Sequence, residues 1–305
     1  MIAELKKVYR ALGFLEAREG TVRYRLDQAA RSVVRSWRSR TGNHVLSQPS
    51  DCMAPRVFDP SLLGLRDIHE SGWYRHNLRE VYKGFRIDPC DTVLDVGCGD
   101  GGMVHFCANF CDHVIVADID PVKVASAEKR LRRQPVRTVT ALVSDAHPLP
   151  LDDETATKVI STEVIEHVDD PAQFLRELVR VGKPGAQYLL SVPDAAAEYV
   201  QKRIAPEASF QKPNHIRILQ RQEFAELVSN AGLIIESQVF YGFFWAMFYS
   251  LFWPCNTDYD APRHPVLDSW CATWKGLLDL PQGQIVKEAL DAVMPKSQVI
   301  IARKP

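Results

Sequence analysis

Residues 163–168 read Glu-Val-Ile-Glu-His-Val, two glutamates three apart with a histidine directly after the second. On one helical turn Glu163 would share a face with Glu166 and His167, at i+3 and i+4. Two carboxylates and an imidazole so placed can hold a divalent ion such as Mg²⁺ by oxygen-rich ligation. They can equally serve as an acid/base set that moves a proton to or from an acceptor. The bland alternative is a turn fixed by ordinary polar side chains. A second histidine, His215 in KPNHIRI, comes some fifty residues later and could return to the same rim.

The elements around the turn decide where it points. Apolar strands alternate with helical stretches between about 92 and 192: TVLDV (92–96), HVIVA (113–117), VTALV (139–143), KVIS (158–161) and QYLLSV (187–192). Asp120-Pro121 and Asp170-Pro171 each supply an N-cap followed by proline at the first helical position. This alternation predicts a parallel sheet covered on both faces. A helix at about 221–231, a strand at 234–240 and a last strand at 297–302 complete the pattern, with more than fifty residues between those two strands. Residues 1–85 read as mostly helical.

The stretch VLDVGCGDGG (93–102) ends a strand in Asp95 and continues with Gly97, Gly99 and Gly101 before a helix. Glycines permit a tight turn and the close approach of a ligand, and the following helix offers free N–H groups. Gly102 also completes GxGxxG, so the turn alone would fit a nicotinamide dinucleotide. Three carboxylates separate the readings. Asp95 precedes the turn. Asp118 ends the second strand, where it can take both ribose hydroxyls, and Asp145 follows the third, placed to accept from an adenine amino group.

At these residues the chain resembles the class I S-adenosylmethionine-dependent methyltransferases, particularly the broad group that includes the ubiquinone-pathway O-methyltransferases. The resemblance covers about 85–240 and the final strand. It implies an α/β, Rossmann-like, doubly wound seven-stranded sheet of order 3-2-1-4-5-7-6. The expected domains are an N-terminal helical extension or lid (1–85) and a methyltransferase domain (86–305) with an aromatic-rich helical insertion at about 241–295. The implied cofactor is S-adenosylmethionine, leaving as S-adenosylhomocysteine. Asp95, Gly97, Gly99 and Gly101 would surround its methionine part, Asp118 and Ile119 its ribose, Asp145 and Ala146 its adenine, and Glu163 would border it. Glu-x-x-Glu-His with a later histidine also resembles the metal site of small-RNA 2′-O-methyltransferases, which implies Glu163, Glu166, His167 and His215 as ligands of Mg²⁺. The same group contains members without known metal, so His167, Glu166 and His215 stand equally as catalytic acid/base residues. Two departures matter. TATKVIS replaces the usual Phe-Asp pair before the fourth strand, which touches the edge of the core. No Asp/Asn-Pro-Pro-aromatic motif follows that strand, and SVPD (191–194) is no substitute, which disfavours methylation of nucleobase or glutamine amino groups.

The net charge is −1, which disfavours a nucleic-acid partner, yet residues 1–42 hold ten Lys/Arg against four Asp/Glu, a local +6. VFYGFFWAMFYSLFW (239–253) places nine aromatics in fifteen positions without a charge, too short to span a bilayer. It reads as a strand end followed by a buried helix, a greasy acceptor pocket, a subunit interface in a homo-oligomer, or an interfacial helix. Trp73 and Tyr74 could cover the cofactor or simply pack. Seven cysteines, an odd number without a CxxC pair, and no apolar leader are expected of a cytoplasmic protein with reduced thiols, with peripheral contact on the inner face of the membrane left open. The expected activity is O-methylation of a small, lipid-linked or glycan-linked acceptor. The alternatives are C-methylation of a prenyl or aromatic acceptor, 2′-O-methylation of RNA, and a regulator that binds S-adenosylmethionine without turnover.

Overall fold

The structure is a computed structural model that describes residues 59–255 and 263–305. The basic segment 1–42, Cys52 and most of the expected N-terminal extension lie outside the described residues. The part of that extension which is described is not all helical. Helix α1 (Pro60–Glu70) is followed by β1 (Trp73–Arg75), β2 (Glu80–Tyr82) and β3 (Phe85–Arg86), a small antiparallel sheet in the order β1-β2-β3. The β1–β2 reversal runs through residues 76–79 with Arg79 at φ +57°, and Gly84, at φ +90°, supplies the turn between β2 and β3. Trp73 and Tyr74 are buried in it, with Trp73 against Tyr82 and Tyr241, and Tyr74 against Phe106.

The main sheet holds β4 (Thr92–Val96), β5 (His113–Asp118), β6 (Thr138–Val143), β7 (Ala156–Thr162), β8 (Gly182–Pro193), β9 (Ile234–Tyr241) and β10 (Ser297–Arg303). Their spatial order is β6-β5-β4-β7-β8-β10-β9. Numbered within the sheet, this is 3-2-1-4-5-7-6. β4 through β8 run parallel, and β10 enters antiparallel between β8 and β9. Side chains alternate across the sheet, so Val93 and Val114 join one core with Phe106 and Ile160, while Leu94 and Ile115 join the other with Val159 and Leu175. A sheet buried on both faces explains why its strands read as unbroken apolar runs.

Helix α2 (Gly102–Cys107) follows β4 and α3 (Pro121–Leu131) follows β5. Helix α4 (Pro171–Val181) leads into β8, α5 (Ala195–Gln201) leaves it, and α6 (Arg221–Asn230) precedes β9. Asp120 accepts from Val122 N at 2.8 Å and Asp170 from Gln173 N at 2.9 Å, as their Asp-Pro sequences require. The insertion between β9 and β10 is helical: α7 (Phe243–Phe252), α8 (Pro265–Leu278) and α9 (Gly283–Val293). The aromatic run thus divides at Gly242 (φ +88°) into a strand end and a helix. Phe244, Phe248, Leu267, Cys271 and Trp274 form a third core with Leu63 of α1. Beneath it Lys287 is fully buried, bonded to Asp291 and Ser71 Oγ, each at 2.6 Å. No helix among the described residues is long and apolar enough to cross a membrane.

Candidate active site

Parallel strands β4, β5, β6 and β7 all end at one edge of the sheet, and the expected residues gather there. Gly97 N and Cys98 N both donate to Ala117 O, at 2.8 and 3.0 Å, which folds the β4–α2 turn back over β5. A Cβ on Gly97 would meet Val164 Cγ2 at 2.2 Å, and φ there is +76°. At Gly99, φ +54°, the Cβ direction is open. Gly99 N donates to Asp118 Oδ2 at 2.8 Å and Asp120 N to Oδ1 at 2.9 Å. The Asp118 carboxylate is therefore fixed while each oxygen keeps a second lone pair for a ligand hydroxyl. Asp95 is 2 % exposed, and its Oδ2 has no hydrogen-bond partner among the described residues. Burial, then the neighbouring Asp118 charge, push its carboxyl up to about 7.

Asp118 pairs with Val143 across β5 and β6, so Asp145 stands two residues beyond the adjacent strand end. Its Oδ1 accepts from His147 N at 3.0 Å. Ala146 is buried at φ +60°, and Ile119 is 71 % exposed beside Asp118. A buried carboxylate oxygen without a partner among the described residues, an open face over Gly99 and two acids at neighbouring strand ends fit a ligand with an ammonium group, a ribose and an adenine.

The E-x-x-E-H stretch lies at the end of β7 but is not a helical turn. Glu163 adopts φ +56°, and the expected common face for Glu163, Glu166 and His167 does not form. Glu163 is turned toward β8 and β10. Its Oε1 accepts from Ser191 Oγ at 3.1 Å and its Oε2 from Lys296 Nζ at 3.2 Å. Glu166, His167 and His215 do converge, each offering one ligand atom within 4.8 Å of the others. The loop carrying His215 is stitched to the turn: Ile216 N donates to Glu166 O at 3.1 Å, and Arg217 donates to the carbonyls of Ile165, Val168 and Asp169.

The two imidazoles are 5.0 Å apart. His167 Nδ1 lies 3.1 Å from Pro213 O, and His215 Nδ1 lies 2.8 Å from Glu198 Oε2. A carbonyl and a carboxylate only accept, so each Nδ1 carries a proton and, in the neutral ring, the lone pair sits on Nε2. His167 Nε2 is 3.6 Å from Glu166 Oε1. Glu166 is 1 % exposed and neither oxygen has a partner among the described residues. Burial, reinforced by Glu163, holds its carboxyl well above the usual range.

Two residues of this cluster escape sequence reasoning. Glu198, 2 % exposed, comes from α5, and Lys296 from the loop before β10. Burial works against the Lys296 ammonium, but Glu163 and Glu198 more than offset it and keep its proton bound. No spacing motif links them to residues 163–167. The only trace is a charged residue inside an otherwise small or apolar stretch.

A methyltransferase-domain family model matches residues 94–190. A Mycolicibacterium smegmatis protein named "Probable S-adenosylmethionine-dependent methyltransferase" is 34 % identical over 192 residues, 62 % of this chain and 69 % of that one. Norajmaline N-methyltransferase of Rauvolfia serpentina is 29 % identical over 197 residues, 62 % and 63 % of the two chains. The 2-methyl-6-phytyl-1,4-hydroquinone methyltransferase of Synechocystis is 30 % identical over 210 residues, 65 % of this chain and 57 % of that one. The chain belongs to the S-adenosylmethionine-dependent methyltransferases of the class I superfamily, and S-adenosylmethionine is its cofactor. The similarity spans 57–69 % of the length of these relatives.

The buried Asp95 carboxyl ties this site to stability. Unfolded, it titrates near 3.8; folded, near 7. Below about pH 4 both states are protonated. Between the two values the unfolded chain releases a proton that the folded chain keeps, so ligand-free stability falls as pH rises, by at most about 4 kcal/mol. Asp95→Asn is expected to flatten that fall in urea melts at pH 5 and 8, and to weaken S-adenosylmethionine binding in calorimetry. A fall as steep as in the parent protein would refute the assignment.

Proposed function

We propose that the protein methylates a hydroxyl oxygen of a small, partly apolar or lipid-linked acceptor, with the imidazoles of His167 and His215 receiving the proton. S-adenosylmethionine supplies the electrophilic methyl group. Asp95, the Gly97–Gly101 turn, Asp118 and Asp145 hold the cofactor at the ends of β4, β5 and β6. The acceptor enters over β7 and β8, where alignment with the methyl supplies much of the acceleration. The observation that carries this reading is the pair of Nε2 lone pairs beside an unpartnered, buried Glu166. A base is needed when oxygen, rather than an amine already carrying a free lone pair, is the nucleophile. Pro213 O and Glu198 Oε2 fix the two rings, and Arg217 holds the backbone of the turn. The hydroquinone named for the Synechocystis relative combines hydroxyls with a long apolar chain, and the aromatic helix α7 lies against α5, the helix that carries Glu198.

The test is turnover with methyl-labelled S-adenosylmethionine over a panel of prenylated and plain phenols, catechols and sugars, with the product read by NMR. An O-methyl product is expected. A ring C-methyl or an N-methyl product as the main outcome would replace this reading.

A further inference from the structure

We infer that Lys296 is this site's own cation: its ammonium takes the place that a divalent ion would fill at the Glu-x-x-Glu-His turn, and it withdraws Glu163 from the ligand set. The inference rests on reading that turn as the acceptor end of the site. Three observations carry it. First, Glu163 turns to Ser191 Oγ at 3.1 Å and Lys296 Nζ at 3.2 Å, and among the described residues the ligand atoms that converge are those of Glu166, His167 and His215, without Glu163.

Second, Lys296 is built in. Its N–H donates to Tyr241 O at 2.9 Å and its carbonyl accepts from Asp194 N at 3.0 Å, which pins it between the ends of β9 and β8. Its Cβ sits 3.1 Å from the place where Gly242 would carry one. The residue at 242 is thus held small where the lysine stem passes. Only 20 % of the side chain is exposed.

Third, the remaining donors suit a hard divalent ion poorly. Two imidazole nitrogens and one carboxylate are left, whereas Mg²⁺ prefers oxygen and keeps its waters. The field of a neighbouring ammonium opposes a second cation. The Lys296 ammonium pairs with Glu163 Oε2 instead, at 3.2 Å. The consequence is chemical: the Nε2 lone pairs of His167 and His215 stay free of Mg²⁺ and available for a proton.

The test measures Mn²⁺ binding to the intact chain by the electron paramagnetic resonance signal of free Mn²⁺, with Mg²⁺ as competitor. No acceptor is needed, so a wrong acceptor assignment does not affect the result. The parent protein is expected to take up no stoichiometric Mn²⁺. Lys296→Met should gain at least about tenfold in affinity, about 1.4 kcal/mol. Lys296→Met combined with Glu163→Gln should lose that gain, and Lys296→Arg should behave as the parent. Circular dichroism and S-adenosylmethionine binding verify folding, with Lys296→Gln as a second variant. One tightly bound Mn²⁺ in the parent protein, or equal affinity in parent and folded Lys296→Met, would overturn the inference.

Discussion

Gly97→Ala is expected to abolish measurable S-adenosylmethionine binding and to destabilise the protein, whereas Gly99→Ala should weaken binding with little loss of stability. The two glycines stand two residues apart in one turn, and their surroundings differ. A methyl on Gly97 would sit 2.2 Å from Val164 Cγ2 at a φ of +76°. Left-handed backbone costs about 1–2 kcal/mol for a residue with a Cβ, and overpacking adds roughly 1–3 kcal/mol. Relief can come only by moving the β4 turn off Ala117 O or by moving Val164, which lies within the E-x-x-E-H stretch. Both ends of the site would shift. At Gly99 the Cβ meets nothing within 4 Å, so the cost is the backbone term alone, about 1–2 kcal/mol. In the proposed cofactor site the methyl would project into the ligand's space, and an affinity loss of about tenfold or more is expected. Urea melts and calorimetric titration on both variants check this. Equal loss of stability in the two, or unchanged affinity in Gly99→Ala, would contradict the geometry.

The same contrast shows what the chain discloses before it folds. Gly97, Gly99, Asp95 and Asp118 are legible because the chemistry of the turn is local: strand, tight reversal, helix. The strands of the main sheet are legible for a related reason, since burial on both faces leaves unbroken apolar runs with Asp-Pro caps between them. The ribbon at 73–86 is less so, because its strands are two or three residues long and reverse at Arg79 and Gly84. Residues 163–167 satisfy a helical spacing yet do not form a helix. Glu163 is drawn out of register by Ser191 and Lys296, which are 28 and 133 residues away. Glu198 reaches His215 across 17 residues for the same reason. Local spacing predicted which residues would gather at the end of β7. Which of them would bond to one another depended on partners supplied by β8, α5 and the loop before β10.

Those partners set the second large effect. His215→Ala and His167→Ala are each expected to lower kcat by roughly 10²–10⁴-fold if that ring receives the proton, and by much less if it only supports the other. S-adenosylmethionine affinity should change little in either, because the proposed cofactor site at Asp95, the glycine turn and Asp118 does not include them. Glu198→Gln gives the sharper discrimination. The carboxylate requires His215 to carry its proton on Nδ1. A glutamine amide can donate to Nδ1 instead and drive the proton to Nε2, the atom that must accept. If His215 is the base, Glu198→Gln should approach His215→Ala in kcat, and ¹⁵N spectra of the labelled imidazole should report the change of tautomer. If His167 is the base, Glu198→Gln should leave kcat within a few-fold, and His167→Ala alone should carry the loss. The double variant His167→Ala/His215→Ala closes the cycle. A loss no greater than the worse single variant would mean that the two rings act as one proton-accepting unit, whereas additive losses would assign them separate tasks.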